Sequence, residues 1–376
     1  MPKLLYLITE DWFFCSHFIE RAMAARHAGF DVVVVAREGA LAARIRDAGL
    51  RFVPLDISRR SLNPLREIAT LLKIFKIYRQ ERPDIVHQIA VKPILYGSLA
   101  ARLLGIGAIV NAPVGMGYAF SSSDMTARLL RPLINFGYRA LINPPGSFVV
   151  FENKDDLNCF AENGMVRRQG AVLIRGAGVD LKRFHPAPQP DGVPVVVLVS
   201  RMLRDKGVFE FAAAAEIVNR KEVIARFLLV GDPDSENPAS IPPETLYGWH
   251  GRFGIEWLGR RDDVDVILGR AHIACLPSYR EGLPKALLEA AASGLPIVTT
   301  DTTGCREVVI EGENGFLVPV KDAKGLATAI EKLVLDRAMR MRMGQCSRRL
   351  AESEFSSEIV IGQTLSLYEA QTKCSS

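Results

Sequence analysis

No apolar run in this sequence approaches the roughly 20 residues that a membrane-spanning helix needs; runs such as Val193–Val199 have the length of strands. The opening MPKLLYLITEDWFF meets Glu10 and Asp11 after a short apolar stretch, so it reads as a first core strand and not as a secretory leader. The six cysteines (Cys15, Cys159, Cys275, Cys305, Cys346, Cys374) are scattered, with no C-x-x-C and no paired spacing near histidine. That argues against a zinc site or a disulfide framework and for a reducing compartment. Histidine is scarce, at six residues. There is no aromatic-interleaved basic stripe and no nucleic-acid reading motif, so nucleic acid is not expected as a partner. Usage is 48% hydrophobic and 24% charged, which leaves little room for a long disordered tail. A cytoplasmic globular protein is the expectation.

What is present points to two domains. At 376 residues the chain exceeds one ordinary α/β domain. The net charge of +5 is unevenly spread: residues 1–188 hold 25 Lys+Arg against 16 Asp+Glu, and residues 189–376 hold 22 against 26. The first half therefore suits an anionic surface or substrate. Short β-branched runs alternate with amphipathic stretches from Leu4–Ile8 through Phe148–Phe151, the pattern of a parallel βα sheet. The segment HPAPQPDGVP (185–194) interrupts it, and a second βα series begins at Val195. The expected division is 1–186 and 190–355, with a last helix at about 356–371 that can pack back on the first domain. Two doubly wound domains of this kind bind ligands at the carboxyl ends of their strands, around a shared cleft.

Two segments carry chemistry. In SYREGLPKALLEAAASGLPIVTT (278–300), Glu281 stands just before a helix that Pro284 can start, and Glu289 lies inside it. Peptide N–H groups of Gly282 and Leu283 at a helix start suit a phosphate or sugar oxygen. Two carboxylates there suit sugar and ribose hydroxyls, since each accepts two hydrogen bonds. In SRMLRDKG (200–207), Arg201 and Lys206 sit on a strand-to-helix turn where Gly207 lets the backbone bend. Two cations converging on a diphosphate offset the charge that builds on it as it leaves.

With GAGVD (176–180) and Phe184, FLLVGD (227–232), WLGRRDDV (257–264), PSYREGLPKALLEA (277–290) and GCREVVIEGENGFLVP (304–319), the chain resembles the retaining family 4 glycosyltransferases of the GT-B fold, α/β proteins with two Rossmann-like domains. It is most similar to the branch that assembles capsule, exopolysaccharide and O-antigen sugars, including N-acetylgalactosaminyltransferases acting on undecaprenyl-diphosphate-linked sugars. VGMGYAFSSS (114–123), ARLLRP (127–132) and FENKDD (151–156) carry the resemblance into the first half. It implies that Glu289 holds the donor ribose and Glu281 the transferred sugar, that Gly282, Leu283 and Pro284 line the site, and that Arg201 and Lys206 clamp the diphosphate. It also implies a nucleotide-sugar donor, a UDP-sugar in this branch, retention of anomeric configuration without a metal or cofactor, and a lipid-linked or other glycan acceptor.

The first half departs from that family. Where many members carry a His-rich segment before a Lys-Pro pair and a second His on the next strand, this chain has HQIAVKP (87–93) and NAPVGMG (111–117). His17, His87, Gly115 and Gly117 are the candidates there, with a sheet-end core histidine and a packed turn as the plainer readings. Gly176 and Gly178 fit a tight turn as well as a site. Residues 59–82 read as a basic amphipathic helix, either an ordinary surface helix or one lying on anionic lipid at the inner face of the membrane. Two rival functions share the donor motifs: a sugar-nucleotide epimerase of the same fold, which needs further cleft histidines and carboxylates, and a non-catalytic nucleotide-sugar binding protein.

Overall fold

The computed structural model describes residues 1–58, 61, 63–114 and 125–374, the side chains of 125–130, 373 and 374 excepted. Two compact units appear: Met1–Ala177 with Glu358–Ser376, and Gly178–Ser357.

The first unit holds seven parallel strands, β1 (Lys3–Glu10), β2 (Asp31–Arg37), β3 (Arg51–Pro54), β4 (Ile85–Ile89), β5 (Ala108–Ala112), β6 (Phe148–Phe151) and β7 (Ala171–Leu173), in the order β3-β2-β1-β4-β5-β6-β7. Runs such as Leu4–Ile8 and Val32–Ala36 are buried throughout, as expected of strands covered by helices on both faces. One covering helix, Pro64–Glu81, begins where Asn63 accepts hydrogen bonds from the N–H groups of Leu65 and Arg66, with Pro64 in its first turn, and ends at Arg82 in a left-handed conformation (φ 47°). Helix Ser357–Cys374 belongs to this unit: Val360, Leu367 and Tyr368 are part of its core.

The second unit holds β8 (Val195–Val199), β9 (Arg226–Val230), β10 (Ile255–Trp257), β11 (Ile273–Leu276), β12 (Ile297–Thr300) and β13 (Gly315–Val318), in the order β10-β9-β8-β11-β12-β13. Each sheet reverses its strand order once, between β1 and β4 and between β8 and β11. Such reversals open a crevice at the strands' carboxyl ends, where doubly wound folds bind ligands.

The chain passes between units at 177/178, ahead of the Pro-rich segment that composition marks as the linker. Val179 and Phe184 are buried in the second unit's core, and the Val179 N–H donates to the Phe355 carbonyl at 2.8 Å while the Ser357 N–H donates to Val179 at 2.9 Å. Gly178 answers to turn geometry: its φ is +72°, and a Cβ there would stand 2.8 Å from the Ser357 Cα.

Candidate active site

The site is built at the reversal between β8 and β11. After β8 the chain runs through Ser200 and Arg201 into a single 3₁₀ turn, Arg204–Lys206, and then helix Val208–Arg220. Gly207 joins the two with φ +71°, and a Cβ there would lie 2.1 Å from the Pro277 carbonyl oxygen. Only glycine allows this turn to press against the end of β11. The Tyr279 N–H then donates to the Asp205 carbonyl at 2.8 Å, tying the two strand ends together.

That contact delivers Lys206 to Glu281. Lys206 Nζ donates to Glu281 Oε1 at 2.5 Å, and Ser278 Oγ donates to the same oxygen at 2.6 Å. Both side chains of the ion pair are mostly buried, 21% and 11% exposed. A third strand end supports them: Thr300 Oγ1 donates to the Ser278 carbonyl, Thr302 Oγ1 to the Tyr279 carbonyl at 2.9 Å, and the Glu281 N–H to Thr303 at 3.2 Å. Gly304 (φ +79°) lies so close that a Cβ would meet the Gly282 carbonyl at 2.5 Å. Cys305 is buried beside this cluster, and burial first and the Glu281 charge second push its thiol up to about 12, so it stays protonated.

Leu283 is buried, and Pro284 caps helix Lys285–Ala292 instead of occupying its first helical position. Glu289 lies in this helix, with Lys285 Nζ 3.9 Å from its Oε1 and 15% of its side chain exposed. Burial raises its pKa, opposed by the positive charges of Lys285 and Arg183. Arg201 shares the turn with Lys206, but its guanidinium is paired elsewhere, with Nη1 donating to Asp234 Oδ2 at 2.5 Å.

Lys206 and Glu281 therefore meet directly, while Arg201 and Glu289 each have their own partner. Sequence reasoning passed over Ser278 and Asp234. Ser278 stands three residues before Glu281, and Asp234 lies in DPDSENPAS (232–240), whose Asp, Asn, Pro and Ser signal a structured turn.

In the first unit the histidine candidates fare differently. His87 is a core residue in the middle of β4, 1% exposed, stacked on Tyr6 with ring centroids 5.2 Å apart and its Nδ1 2.6 Å from the Tyr368 hydroxyl. Burial, with a smaller push from Arg21, lowers its pKa to about 3. It is neutral and closed off from ligands, which corrects its candidacy. His17 ends helix Asp11–His17, half-buried with its ring 4.2 Å from Phe13. Lys92 is occupied in structure: its Nζ donates to the carbonyls of Ser58 and Ser61 and to Glu67 at 2.7–2.9 Å. Gly115 and Gly117 lie outside the described residues.

Comparison with known proteins agrees with this architecture. Residues 3–142 match the family profile described as "Glycosyl transferase 4-like", and residues 193–336 match "Glycosyl transferases group 1". The N,N'-diacetylbacillosaminyl-diphospho-undecaprenol alpha-1,3-N-acetylgalactosaminyltransferase of Campylobacter jejuni is 29% identical over 356 residues, covering 91% of this chain and 92% of that protein. The UDP-Gal:alpha-D-GlcNAc-diphosphoundecaprenol alpha-1,3-galactosyltransferase of Escherichia coli is 24% identical, covering 85% and 84%. The solved structure of Anabaena HepE in complex with UDP is 18% identical, covers 98% of this chain and 100% of that chain, and superposes with a TM-score of 0.78. The two profiles account for most of both units, and the likeness in fold extends over nearly the whole chain: this protein belongs to the family 4 glycosyltransferases of the GT-B fold.

Proposed function

We propose that this glycosyltransferase takes a UDP-sugar and transfers the sugar, with retention and without a metal ion, to a polyprenyl-diphosphate-linked or other glycan acceptor in cell-surface polysaccharide assembly. The observation that carries the reading is the 2.5 Å bond between Lys206 and Glu281 at the β8/β11 reversal. It joins a cation suited to phosphate to a carboxylate suited to sugar hydroxyls, one bond apart. Support comes also from the relatives: the Escherichia coli protein is named for a UDP-Gal donor, the Campylobacter protein for a diphospho-undecaprenol acceptor, and HepE was solved with UDP.

In this reading Glu289 accepts hydrogen bonds from the ribose hydroxyls, Glu281 from the sugar, and Gly282 to Pro284 line the pocket. The Lys206 ammonium has three donors, so it keeps Glu281 while reaching the diphosphate, joined there by Arg201. The acceptor hydroxyl oxygen bonds to the anomeric carbon as the bond from that carbon to the β-phosphate oxygen breaks. The bonding pair leaves with the diphosphate, and the acceptor proton passes to the departing phosphate oxygen on the same face. The two cations offset the charge gathering there. A thermal-shift panel of UDP, GDP, ADP and CDP with their sugars tests the donor. UDP compounds are expected to raise the Tm most, and a larger shift with another base overturns the uridine assignment. Product analysis with donor plus lipid-linked acceptor, in excess chelator, is expected to give undiminished retained product.

The reading extends to an anionic membrane surface. No described helix is long and apolar enough to cross a bilayer. Helix Pro64–Glu81, however, leaves Leu65, Ile68 and Leu72 exposed at 78%, 55% and 62% beside exposed Arg66, Lys73, Lys76 and Arg79. Its two carboxylates are engaged: Glu67 by Lys92 and Tyr96, and buried Glu81 by Lys3 and Arg51. The outer face is thus apolar and cationic, the combination that lies on anionic lipid. Flotation is expected with phosphatidylglycerol vesicles and not with phosphatidylcholine, and changing Leu65, Ile68 and Leu72 to serine is expected to reduce it by at least about tenfold. Equal absence from both vesicles ends this part of the proposal.

A further inference from the structure

We propose that Asp234 is a positioning residue for Arg201, holding the guanidinium ready for the donor diphosphate; the inference rests on the diphosphate role given to Arg201 above. Arg201 is a long cation with 41% of its side chain exposed, whereas the Asp234 side chain is 17% exposed. Left to itself such an arginine samples many rotamers, and immobilising it when ligand arrives weakens binding. The 2.5 Å bond from Nη1 to Asp234 Oδ2 restricts it beforehand.

The carboxylate is itself fixed by its own loop. The Asp234 N–H donates to Ser240 Oγ at 3.0 Å, Asp234 Oδ1 accepts from the Glu236 N–H at 3.2 Å, and the Asp234 carbonyl accepts from the Asn237 N–H at 2.8 Å. Asn237 closes the turn, its Oδ1 accepting from the Ala239 N–H and its carbonyl from the Ser240 N–H, both at 3.0 Å. The same loop grips the backbone around Arg201: the Met202 N–H donates to Asp232 at 2.9 Å, the Arg204 N–H to Ala239 at 2.7 Å, and the Ile241 N–H to Met202 at 2.9 Å. One rigid loop thus holds both the turn that carries Arg201 and the head of its side chain. The two carboxylate oxygens divide the work, Oδ1 toward the loop and Oδ2 toward the guanidinium.

An ion pair this exposed adds little to stability, and a carboxylate near a diphosphate site repels the ligand unless it improves the cation. Positioning accounts for both. The planar guanidinium has five donors in a fixed fork, so one edge can stay on Asp234 while another meets phosphate.

The test is a double-mutant cycle read by UDP titration calorimetry, donor kinetics and thermal unfolding. Asp234→Asn is expected to weaken UDP binding by roughly three- to tenfold and to raise the donor KM to match, with the Tm unchanged. Asp234→Glu is expected to recover part of the loss. In an Arg201→Ala background, adding Asp234→Asn is expected to change UDP affinity by less than about twofold. An equal loss in both backgrounds, or an Asp234→Asn protein that binds UDP undiminished, overturns the proposal. Undiminished UDP binding by Arg201→Ala alone removes the diphosphate role of Arg201, and this inference falls with it.

Discussion

Lys206→Ala is expected to lower kcat/KM for sugar transfer by about 10²- to 10³-fold, the loss usual when one preorganised donor to a developing oxyanion is removed. The fold is expected to survive. Glu281, though mostly buried, keeps the hydrogen bond from the Ser278 hydroxyl at 2.6 Å and an 11% exposed side chain, so its charge is not left without a partner. Lys206→Arg is expected to recover only part of the activity, because a planar guanidinium fork replaces a compact ammonium. Steady-state kinetics with a UDP-sugar, beside a thermal melt, give the answer. Transfer within about threefold of the original protein would falsify the role given to Lys206 and, with it, the site.

Glu289→Gln is expected to cost about two orders of magnitude in transfer, since hydrogen bonds from ribose hydroxyls to a charged acceptor are replaced by bonds to a neutral amide. The same change is expected to raise the Tm. Burial gives Glu289 a higher pKa in the folded protein than in the unfolded chain, with Lys285 and Arg183 only partly opposing it. Such a group holds its proton more tightly when folded, so ionising it weakens the fold. That loss is absent below the unfolded-state pKa, near 4.3 for a glutamate, and complete above the raised folded-state value. Glu289→Gln carries no such loss. Its Tm advantage is therefore expected at pH 8 and should vanish near pH 4, as calorimetry across that range can establish. A variant that is inactive and no more stable at pH 8 would show that the carboxylate is already well solvated or paired in the absence of donor.

Much of the fold could be read from apolar periodicity, because strands covered on both faces are written as near-continuous β-branched runs. Val32–Ala36, Phe148–Phe151, Ile273–Leu276 and Ile297–Thr300 are strands or lie inside them. Short or half-exposed elements escaped. β7 has three half-buried residues, and β13 includes a glycine whose Cβ would meet the Ile297 carbonyl at 2.0 Å, so a residue that signals a loop is there required by strand proximity. Helix Asp11–His17 escaped because Phe18 breaks it from Ile19–His27.

Of the candidate site, the two charged motifs are legible in the sequence, and the contacts between them are not. Lys206 and Glu281 are 75 positions apart, yet each follows a central strand; the sequence places them, with Arg201 and Glu289, along one cleft wall, and the direct bond between the two appears only in the structure. Asp234 escaped because its role depends on a turn, not on any pattern of charges. The His87 candidacy fell because a histidine at a strand end and one two residues deeper look alike in sequence, while here Tyr6, Phe18 and Tyr368 enclose the ring.

The parallel bridge between Val179 and Ser356 places the two ends of the second unit, one residue in from each, side by side. A segment whose ends already touch can be lifted out and replaced as a block without stretching what it is spliced into. Heredity thus has a simple route to novelty here: recombination at these two neighbouring points exchanges Arg201, Lys206, Asp234, Glu281 and Glu289 in one event, while the host scaffold, with its last helix locked in by Tyr368, stays as it was.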